Sequence, residues 1–318
     1  MMSGHFRVRA AGLLAGVGLF ATTACGSGAA ESAAESTTAA GPQAAAGDKP
    51  SVVTAFYPLQ WLSEKVGGPD IKVSVLTAPG VEPHDLELGA QQMADLEDAT
   101  LAVYIKGVQP AVDEALEQRS DQAFDAATAV KTIPLGEHAE DDGHDHDKVS
   151  YDTHLWLDPS RLATVAGKLG ERLAQADPEH AQAYKDRAAK TAAELAALDQ
   201  EMAKGLTSCT SKTMVTSHEA FGYLADRYKL KQIGITLDPE SEPSPARIAE
   251  VAKLANSEKV TTIFTEALVS PKVAEVLAQE VGAKTAVLDP LESKPGTGDY
   301  VTQMRHNLKT LQIALGCA

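Results

Sequence analysis

The sequence has 318 residues, which is enough for about two domains of ~150 residues each. Its 44 acidic residues outnumber its 28 lysines and arginines, and the formal net charge is −16. An acidic surface of this kind argues against a nucleic-acid-binding protein, whereas it favours solubility and the attraction of cations.

Residues 1–24 have the features of an export signal. Arg7 and Arg9 precede an uncharged apolar run over residues 10–21, which is shorter than the ~20 residues that span a bilayer. Cys25 follows Thr-Thr-Ala, and this arrangement resembles the lipobox of bacterial lipoproteins, whose cysteine is acylated. We therefore expect a lipoprotein anchored to the outside of the cell membrane, in the lipid bilayer, through Cys25. The alternative is an ordinary cleaved signal followed by an incidental cysteine.

Residues 25–50 are predicted to form the lipidated cysteine and a flexible tether. After Cys25 this segment is rich in Ala, Ser, Thr, Glu and Gly, with no aromatic residue and no apolar periodicity. Such a segment buries too little apolar surface to offset the entropy lost on ordering.

Strand and helix patterns alternate from residue 51 onward. The predicted strands of the first half are residues 52–56, 71–76, 101–105 and 131–135. The predicted helices between them are residues 58–66, 88–96 and 108–118. This alternation favours a parallel sheet with helices on both faces.

A long helical region follows. Asp158-Pro159 is a typical helix start, and Asp177-Pro178 repeats that signal. Residues 181–204 contain no Gly or Pro and are rich in strong helix formers, so they predict one helix of roughly 36 Å. A helix of this length can act as a stiff strut between two lobes, although an ordinary amphipathic surface helix is the alternative.

The alternation then resumes. The predicted strands of the second half are residues 213–216, 232–236, 260–264 and 285–288. The predicted helices are residues 220–228, 245–256, 271–281 and 300–315. We therefore expect an α/β fold of two lobes, each a mainly parallel sheet flanked by helices. The predicted boundaries are 51–176 for the first lobe, 177–205 for the linking helix and 206–318 for the second lobe.

Three of the nine histidines lie in separate polar turns, each beside a strand-like run: His84, His154 and His218. Asp289 follows the last predicted strand. Parallel sheets bind ligands outside the carboxyl ends of their strands, and three imidazoles with one carboxylate suit a tetrahedral zinc site. Taken singly, each histidine is more often a solvated loop residue, and Asp289 can simply cap the turn before Pro290. The joint pattern predicts one metal ion held between the lobes.

Four segments closely resemble the metal-specific solute-binding proteins of ABC importers, in the zinc and manganese cluster. They are Gly-Val-Glu-Pro-His84-Asp-Leu-Glu, His154-Leu-Trp-Leu-Asp-Pro, Ser-His218-Glu-Ala-Phe-Gly-Tyr-Leu and Leu-Asp289-Pro-Leu. The resemblance extends from about residue 51 to the end, with the motifs in the same order. It implies two α/β lobes joined by a rigid helix, with His84, His154, His218 and Asp289 as metal ligands in the cleft. It also implies a monomeric receptor, not an enzyme, that delivers its ion to a membrane permease.

Position 218 bears on the choice of metal. In the family that this sequence resembles, manganese-type members have Glu at this point, whereas zinc-type members have His. Imidazole is the softer ligand and favours Zn²⁺. We therefore expect Zn²⁺ as the transported ion, with Mn²⁺ or another divalent metal as the alternative. Pro83 occupies a place where some zinc-type members have Glu. This leaves Asp289 or water as the fourth ligand, with Glu82 as a weaker candidate.

The loop over residues 137–148 resembles the His/acidic loop of zinc-type members. It contains His138, His144 and His146 among several acidic residues. We expect these histidines to contact zinc as accessory ligands and to raise its concentration near the cleft. The alternative is a solvated charged loop without a role.

Cys209 and Cys317 are the remaining cysteines if Cys25 carries lipid. An even pair in an oxidising compartment favours a disulfide bond, although two free thiols are the alternative and sequence alone does not establish the pairing.

Two other functional classes compete with a receptor. A zinc hydrolase needs an open coordination position and a nearby general base, for which Glu219 and Glu266 are candidates, but no His-Glu-x-x-His pair is present. A surface adhesin, which uses the lobes to contact a host or matrix protein, also fits a lipid anchor with a long tether.

Overall fold

The computed structural model describes residues 49–135 and 149–318. The predicted signal peptide, Cys25, nearly all of the tether, and the loop histidines His138, His144 and His146 lie outside these ranges. Within them, no helix combines the length and apolarity needed to cross a membrane.

The first half contains a four-stranded parallel sheet. Its strands are β1 (Ser51–Thr54), β2 (Lys72–Val75), β3 (Leu101–Tyr104) and β4 (Ala123–Asp125), in the spatial order β2-β1-β3-β4. The connecting helices are α1 (Tyr57–Gly67), α2 (Ala90–Glu97) and α3 (Pro110–Leu116). The strand order reverses between β1 and β3, so this sheet has a switch point at the carboxyl ends of those two strands.

The strand that closes this sheet differs from the prediction. Residues 131–135 form no ladder, and Pro134 makes only an isolated antiparallel bridge with Tyr151. The fourth strand is β4 instead, which pairs with β3 through Ala123, Phe124 and Asp125. β4 has only three residues, all half-buried, and this is too short for an alternation of apolar and polar side chains to be recognised in the sequence.

Two long helices follow the first sheet. α4 (Pro159–Ala176) begins at Asp158, whose carboxylate accepts hydrogen bonds from the backbone N–H groups of Ser160 and Arg161. A short 3₁₀ turn (Pro178–His180) then leads into α5 (Ala181–Gly205), which spans roughly 37 Å. α5 packs against α4 and against α1 of the first half.

The second half repeats the same topology. Its strands are β5 (Thr213–His218), β6 (Lys231–Thr236), β7 (Thr262–Thr265) and β8 (Lys284–Val287), all parallel in the spatial order β6-β5-β7-β8. The helices are α6 (Gly222–Tyr228), α7 (Pro245–Ser257), α8 (Lys272–Val281) and α9 (Tyr300–Leu315). α9 also packs against α5, so α5 contacts elements of both halves. The predicted architecture of two parallel-sheet α/β lobes is confirmed.

The two sheets share one hydrophobic core. Alternate residues of a strand point to opposite faces, so Val52 and Met214 face inward, whereas Val53 and Val215 face outward. Each outer face is covered by its own helices, α2 and α3 on the first sheet and α7 and α8 on the second. The inner faces join a single cluster with α1, α4, α5, α6 and α9. Separating the lobes would therefore expose buried apolar surface to water.

Trp156 links the two halves through polar contacts inside this core. Its indole N–H donates to the carbonyl oxygen of Pro290 at 2.7 Å, and the hydroxyl of Tyr300 donates to the Trp156 carbonyl oxygen at 2.5 Å. The Phe56 ring and the indole pack in a T-shaped arrangement with ring centroids 4.8 Å apart. The chain segment before α4 is thus held against the segment that follows β8.

Cys209 and Cys317 form a disulfide bond, as predicted. They are 108 residues apart, and the bond joins the segment before β5 to the segment that follows α9. Their backbones also form an isolated antiparallel bridge.

We expect the double substitution Cys209→Ser/Cys317→Ser to lower the free energy of unfolding by about 2–5 kcal/mol, because the unfolded chain loses its constraint. Equilibrium unfolding in guanidinium chloride measures this change as a lower midpoint. Wild-type protein kept in reductant is the matched control and should unfold at the midpoint of the variant. An unchanged midpoint for both would show that the bond does not constrain the unfolded chain.

Candidate metal centre

His84 lies in the loop between β2 and α2, beyond the carboxyl end of its strand. Its backbone N–H donates to Oε1 of Glu82 at 3.2 Å, which orders the turn around Pro83. The imidazole points inward, and 14% of the side chain is exposed.

His154 lies between the Tyr151 bridge and α4, directly before a 3₁₀ turn (Leu155–Leu157). Its side chain is buried. One oxygen of Asp152, Oδ1, accepts hydrogen bonds from both the backbone N–H of His154 at 2.9 Å and its ring Nδ1 at 2.8 Å. This local turn fixes the ring, so that Nε2 points away from Asp152.

His218 is the last residue of β5, and Glu266 directly follows β7. These strands are neighbours in the second sheet, at the point where the strand order reverses. The two oxygens of Glu266 divide their contacts: Oε1 accepts from the backbone N–H of His218 at 3.0 Å, and Oε2 accepts from its ring Nδ1 at 2.7 Å. The His218 side chain is fully buried.

Glu292 supplies the carboxylate that faces the three imidazoles. Its side chain is 1% exposed, and its Oε1 lies 3.4 Å from Nε2 of His84, 3.7 Å from Nε2 of His154 and 3.8 Å from Nε2 of His218. Its other oxygen, Oε2, is buried without a hydrogen-bond partner. This carboxylate is therefore directed at the imidazole cluster.

Asp289, which we predicted as the fourth ligand, is not a member of this group. Its Oδ1 accepts from the backbone N–H of Leu291 at 2.8 Å, and its Oδ2 accepts from the side-chain amide of Gln303 at 3.3 Å. Asp289 thus caps the turn after β8, and Leu291 within that turn adopts a left-handed backbone with φ of 60°. The turn brings Glu292, three residues beyond Asp289, to the position expected for Asp289.

The four groups have the spacing of a tetrahedral site. Their nearest ligand atoms all lie within 4.8 Å of one another, and Nε2 of His154 is 3.4 Å from Nε2 of His218. Ligand atoms placed ~2.0–2.1 Å from a tetrahedral zinc ion lie about 3.4 Å apart along each edge. Four of the six separations, at 3.4 to 3.8 Å, lie within a few tenths of an ångström of this edge, and the separations of His84 from the other two imidazoles are at most 4.8 Å.

Hydrogen bonds to two acidic residues direct the imidazole lone pairs. Asp152 and Glu266 are acceptors, so they place the Nδ1 proton of His154 and His218 on the side away from the centre. When the ring is neutral, each Nε2 then presents a lone pair toward Glu292 and the other rings. The sequence singled out Glu266 only as a candidate general base in the hydrolase alternative, and it did not single out Asp152, although Asp152 precedes its histidine by two residues.

The electrostatics of the centre favour a cation. Burial raises the pKa of the Glu292 carboxyl, but the hydrogen bond from His84 and the neighbouring imidazoles outweigh burial and hold this pKa at about 2. For His218, burial lowers the pKa, but Glu266 and the more distant Glu292 and Glu82 raise it to about 9. Burial, and then the charge of Glu292, raise the pKa of Glu82 to about 7. The Glu292 carboxylate thus keeps its negative charge at neutral pH in a place where water is excluded.

The other described histidines lie apart from this centre. His180 contacts Asp177 with its Nδ1 at 2.8 Å, and His306 contacts Gln303. Neither histidine is a member of the four-group cluster. Glu292 is the one group of the cluster that was not predicted from the sequence. A signal for it exists, because it lies just beyond the Leu-Asp289-Pro-Leu motif at the end of a strand.

Comparison with known proteins identifies the family. The model of the family described as zinc-uptake complex component A, periplasmic (ZnuA), matches residues 52–314. The chain belongs to this family. It is a family of metal-specific solute-binding proteins, and the predicted zinc-branch membership is confirmed.

Individual relatives agree. The zinc-binding lipoprotein AdcA of Streptococcus pneumoniae is 34% identical over 285 residues, which cover 85% of this chain and 56% of AdcA. The Zn(II)-bound ZnuA-like domain of AdcA has a TM-score of 0.71 at 32% identity, covering 84% of this chain and 99% of that domain. The laminin-binding protein Lmb of Streptococcus agalactiae has a TM-score of 0.75 at 33% identity, with coverages of 84% and 99%. The chain therefore spans little more than half of the length of AdcA.

We expect Glu292→Gln to weaken Zn²⁺ binding by more than the 10–100-fold typical of losing an outer hydrogen-bond partner, because it removes the anionic oxygen directed at the ion. Asp289→Asn is the matched control. It preserves the Oδ1 acceptor for the Leu291 N–H and should change the affinity by less than about threefold. Competition titration with a chelating dye measures both constants. A large loss in Asp289→Asn with none in Glu292→Gln would restore Asp289 as the ligand.

Proposed function

We propose that this protein is an extracytoplasmic receptor that captures Zn²⁺ and delivers it to an ABC-type membrane permease for uptake. The observation that carries the proposal is the convergence of three imidazole nitrogens on one buried carboxylate oxygen, at distances of 3.4 to 3.8 Å. Membership in the family of zinc-uptake complex components supports the same function.

His84, His154, His218 and Glu292 are the proposed ligands of the transported ion. Three imidazoles and one carboxylate fill a tetrahedral shell, which zinc adopts readily, whereas manganese sites favour more carboxylate and water oxygens. The Zn(II)-bound state of the related AdcA domain agrees with zinc as the cargo. Mn²⁺ remains the alternative cargo within the same family.

The partner and the location are proposed from the family. A component of a zinc-uptake complex needs a permease, and the related AdcA is described as a lipoprotein. We propose that acylated Cys25 anchors this chain to the membrane and that residues 25–50 let the lobes reach the permease as a monomer. The domain boundaries at 51–176, 177–205 and 206–318 belong to the same proposal, with α5 as the linking helix.

The segment over residues 137–148 has a proposed accessory role. His138, His144 and His146 would bind zinc weakly beside the cleft and pass it to the four main ligands. The proposal rests on composition, since imidazoles and carboxylates alternate there.

A second function, surface adhesion, is favoured by one finding. The related Lmb is described as a bifunctional protein with adhesin and metal-transporting activity. Adhesion does not compete with zinc binding, because it would use the outer surface of the lobes. A zinc hydrolase is less well supported, because four protein ligands leave no open position for an attacking water. We propose that the chain has no enzymatic activity.

We expect metal-free protein to bind one Zn²⁺ tightly, with an affinity at least about tenfold higher than for Mn²⁺, because imidazole is the softer ligand. His218→Ala should lose most of the Zn²⁺ affinity. His306→Ala, which removes a histidine outside the centre, is the matched control. Titration with Zn²⁺, Mn²⁺ and Cu²⁺ gives the constants.

Equal affinities of the wild type for Zn²⁺ and Mn²⁺ would undo the zinc assignment. A variant that lacks residues 138–147 is expected to retain the single tight site in the same titration. Loss of that site would show that the loop, and not the buried centre, provides the primary ligands.

We expect Zn²⁺ binding at pH 7 to release at least one proton. His218 has a raised pKa of about 9, so it is protonated in the metal-free protein and must lose this proton to coordinate the ion. Affinity should therefore rise by about tenfold per pH unit for each proton released, up to about pH 9. Calorimetry in buffers of different protonation enthalpy counts the protons. The His306→Gln variant should release the same number, and zero release by the wild type would contradict the expectation.

A further inference from the structure

The two acidic residues behind the imidazoles accept their hydrogen bonds in different ways. Asp152 uses a single oxygen, Oδ1, for both the backbone N–H and the ring Nδ1 of His154. Glu266 uses one oxygen for the backbone N–H of His218 and the other for its ring Nδ1. Both carboxylates are buried, with Asp152 6% and Glu266 7% exposed.

The backbone N–H of His218 requires a hydrogen-bond acceptor as its partner. A backbone N–H is always a donor, so the atom at the position of Glu266 Oε1 must be an acceptor. The imidazole is different, because its Nδ1 is a donor in one tautomer and an acceptor in the other. The atom at the position of Oε2 therefore selects the tautomer of His218.

We propose that Glu266 is a positioning residue for zinc binding, because its two oxygens together force the proton of His218 onto Nδ1 and leave Nε2 free to coordinate the ion. Asp152 orients His154 through one oxygen alone, so it does not depend on having two acceptors. The inference rests on the proposed function, since it assigns a role within the same site.

Replacement of each acid by its amide separates the two cases. In Glu266→Gln the amide oxygen must face the backbone N–H, and the NH₂ group is then directed at Nδ1 of His218. Nδ1 becomes an acceptor, the ring proton moves to Nε2, and this N–H points toward Glu292, where the ion would bind. His218 is thereby lost as a ligand although its side chain is unchanged.

In Asp152→Asn the amide oxygen stays at the position of Oδ1 and continues to accept both hydrogen bonds from His154. The NH₂ group takes the position of Oδ2. This position lies so close to Gly222 that a Cβ atom added to that glycine would be only 2.3 Å from Oδ2. The opposite amide orientation would set NH₂ against the backbone N–H of His154, donor against donor. The tautomer of His154 is thus preserved in this variant.

The test compares Zn²⁺ affinities of wild type, Glu266→Gln, Asp152→Asn and His218→Ala. We expect Glu266→Gln to fall about 100-fold or more, to the level of His218→Ala, and Asp152→Asn to stay within about tenfold of wild type. The ligand-field absorption of Co²⁺-loaded protein gives a second readout. Its bands should change in Glu266→Gln, as one nitrogen ligand is lost, and remain as in wild type for Asp152→Asn.

The tautomer itself is measured in the wild type, so the proposal does not depend on the folding of any variant. Long-range ¹H–¹⁵N correlation spectra of metal-free protein, recorded at a pH where His218 is neutral, should show its proton on Nδ1, since no ion then dictates the tautomer. A proton on Nε2 would overturn the proposal, as would equal affinities for Glu266→Gln and Asp152→Asn. Failure of the wild type itself to bind Zn²⁺ would overturn the proposed function instead.

Discussion

The hydrogen bond from the Trp156 indole to the Pro290 carbonyl sets the spacing of the metal centre. Trp156 follows His154 by two residues and Pro290 precedes Glu292 by two, so this bond of 2.7 Å joins the backbone segments that carry both groups. Trp156 is fully buried in the core shared by the two sheets. Breaking the bond would leave a buried donor and a buried acceptor unsatisfied, at a cost of about 1–3 kcal/mol. The core of the protein, more than its loops, therefore holds the centre together.

The four site groups are not equally fixed. His154, His218 and Glu292 are attached to buried segments. Each of the two histidines is also held by one carboxylate, which accepts hydrogen bonds from both its ring and its backbone N–H. His84 belongs to the loop after β2 and is the most exposed of the four, at 14%. The same loop contacts the opposite half through Gly80, whose N–H donates to the Ser293 hydroxyl at 2.7 Å. The centre thus has three groups set in the core and one on the side that faces solvent.

Sequence patterns predicted most of the fold and three of the four site groups, since strand–helix alternation and histidines at strand ends are local features. Glu292 was missed because its position depends on Leu291, and nothing in a leucine signals a left-handed backbone. The pairing of His218 with Glu266 joins residues 48 apart, so it emerges only when β5 and β7 become neighbours. β4 was missed because three residues are too few for a periodic signal.

The disulfide bond between Cys209 and Cys317 has a topological consequence for the second half. His218, Glu266 and Glu292 all lie on the stretch of chain that this bond closes into a ring. A protease that cuts one peptide bond anywhere on this ring opens it without releasing a fragment, because both new ends stay tethered through the two sulfur atoms. His84 and His154 have no equivalent protection, since the only cysteine before residue 209 is Cys25. A nicked molecule thus retains all of its second-half chain, whereas a cut between His84 and His154 leaves only non-covalent packing to hold the pieces together.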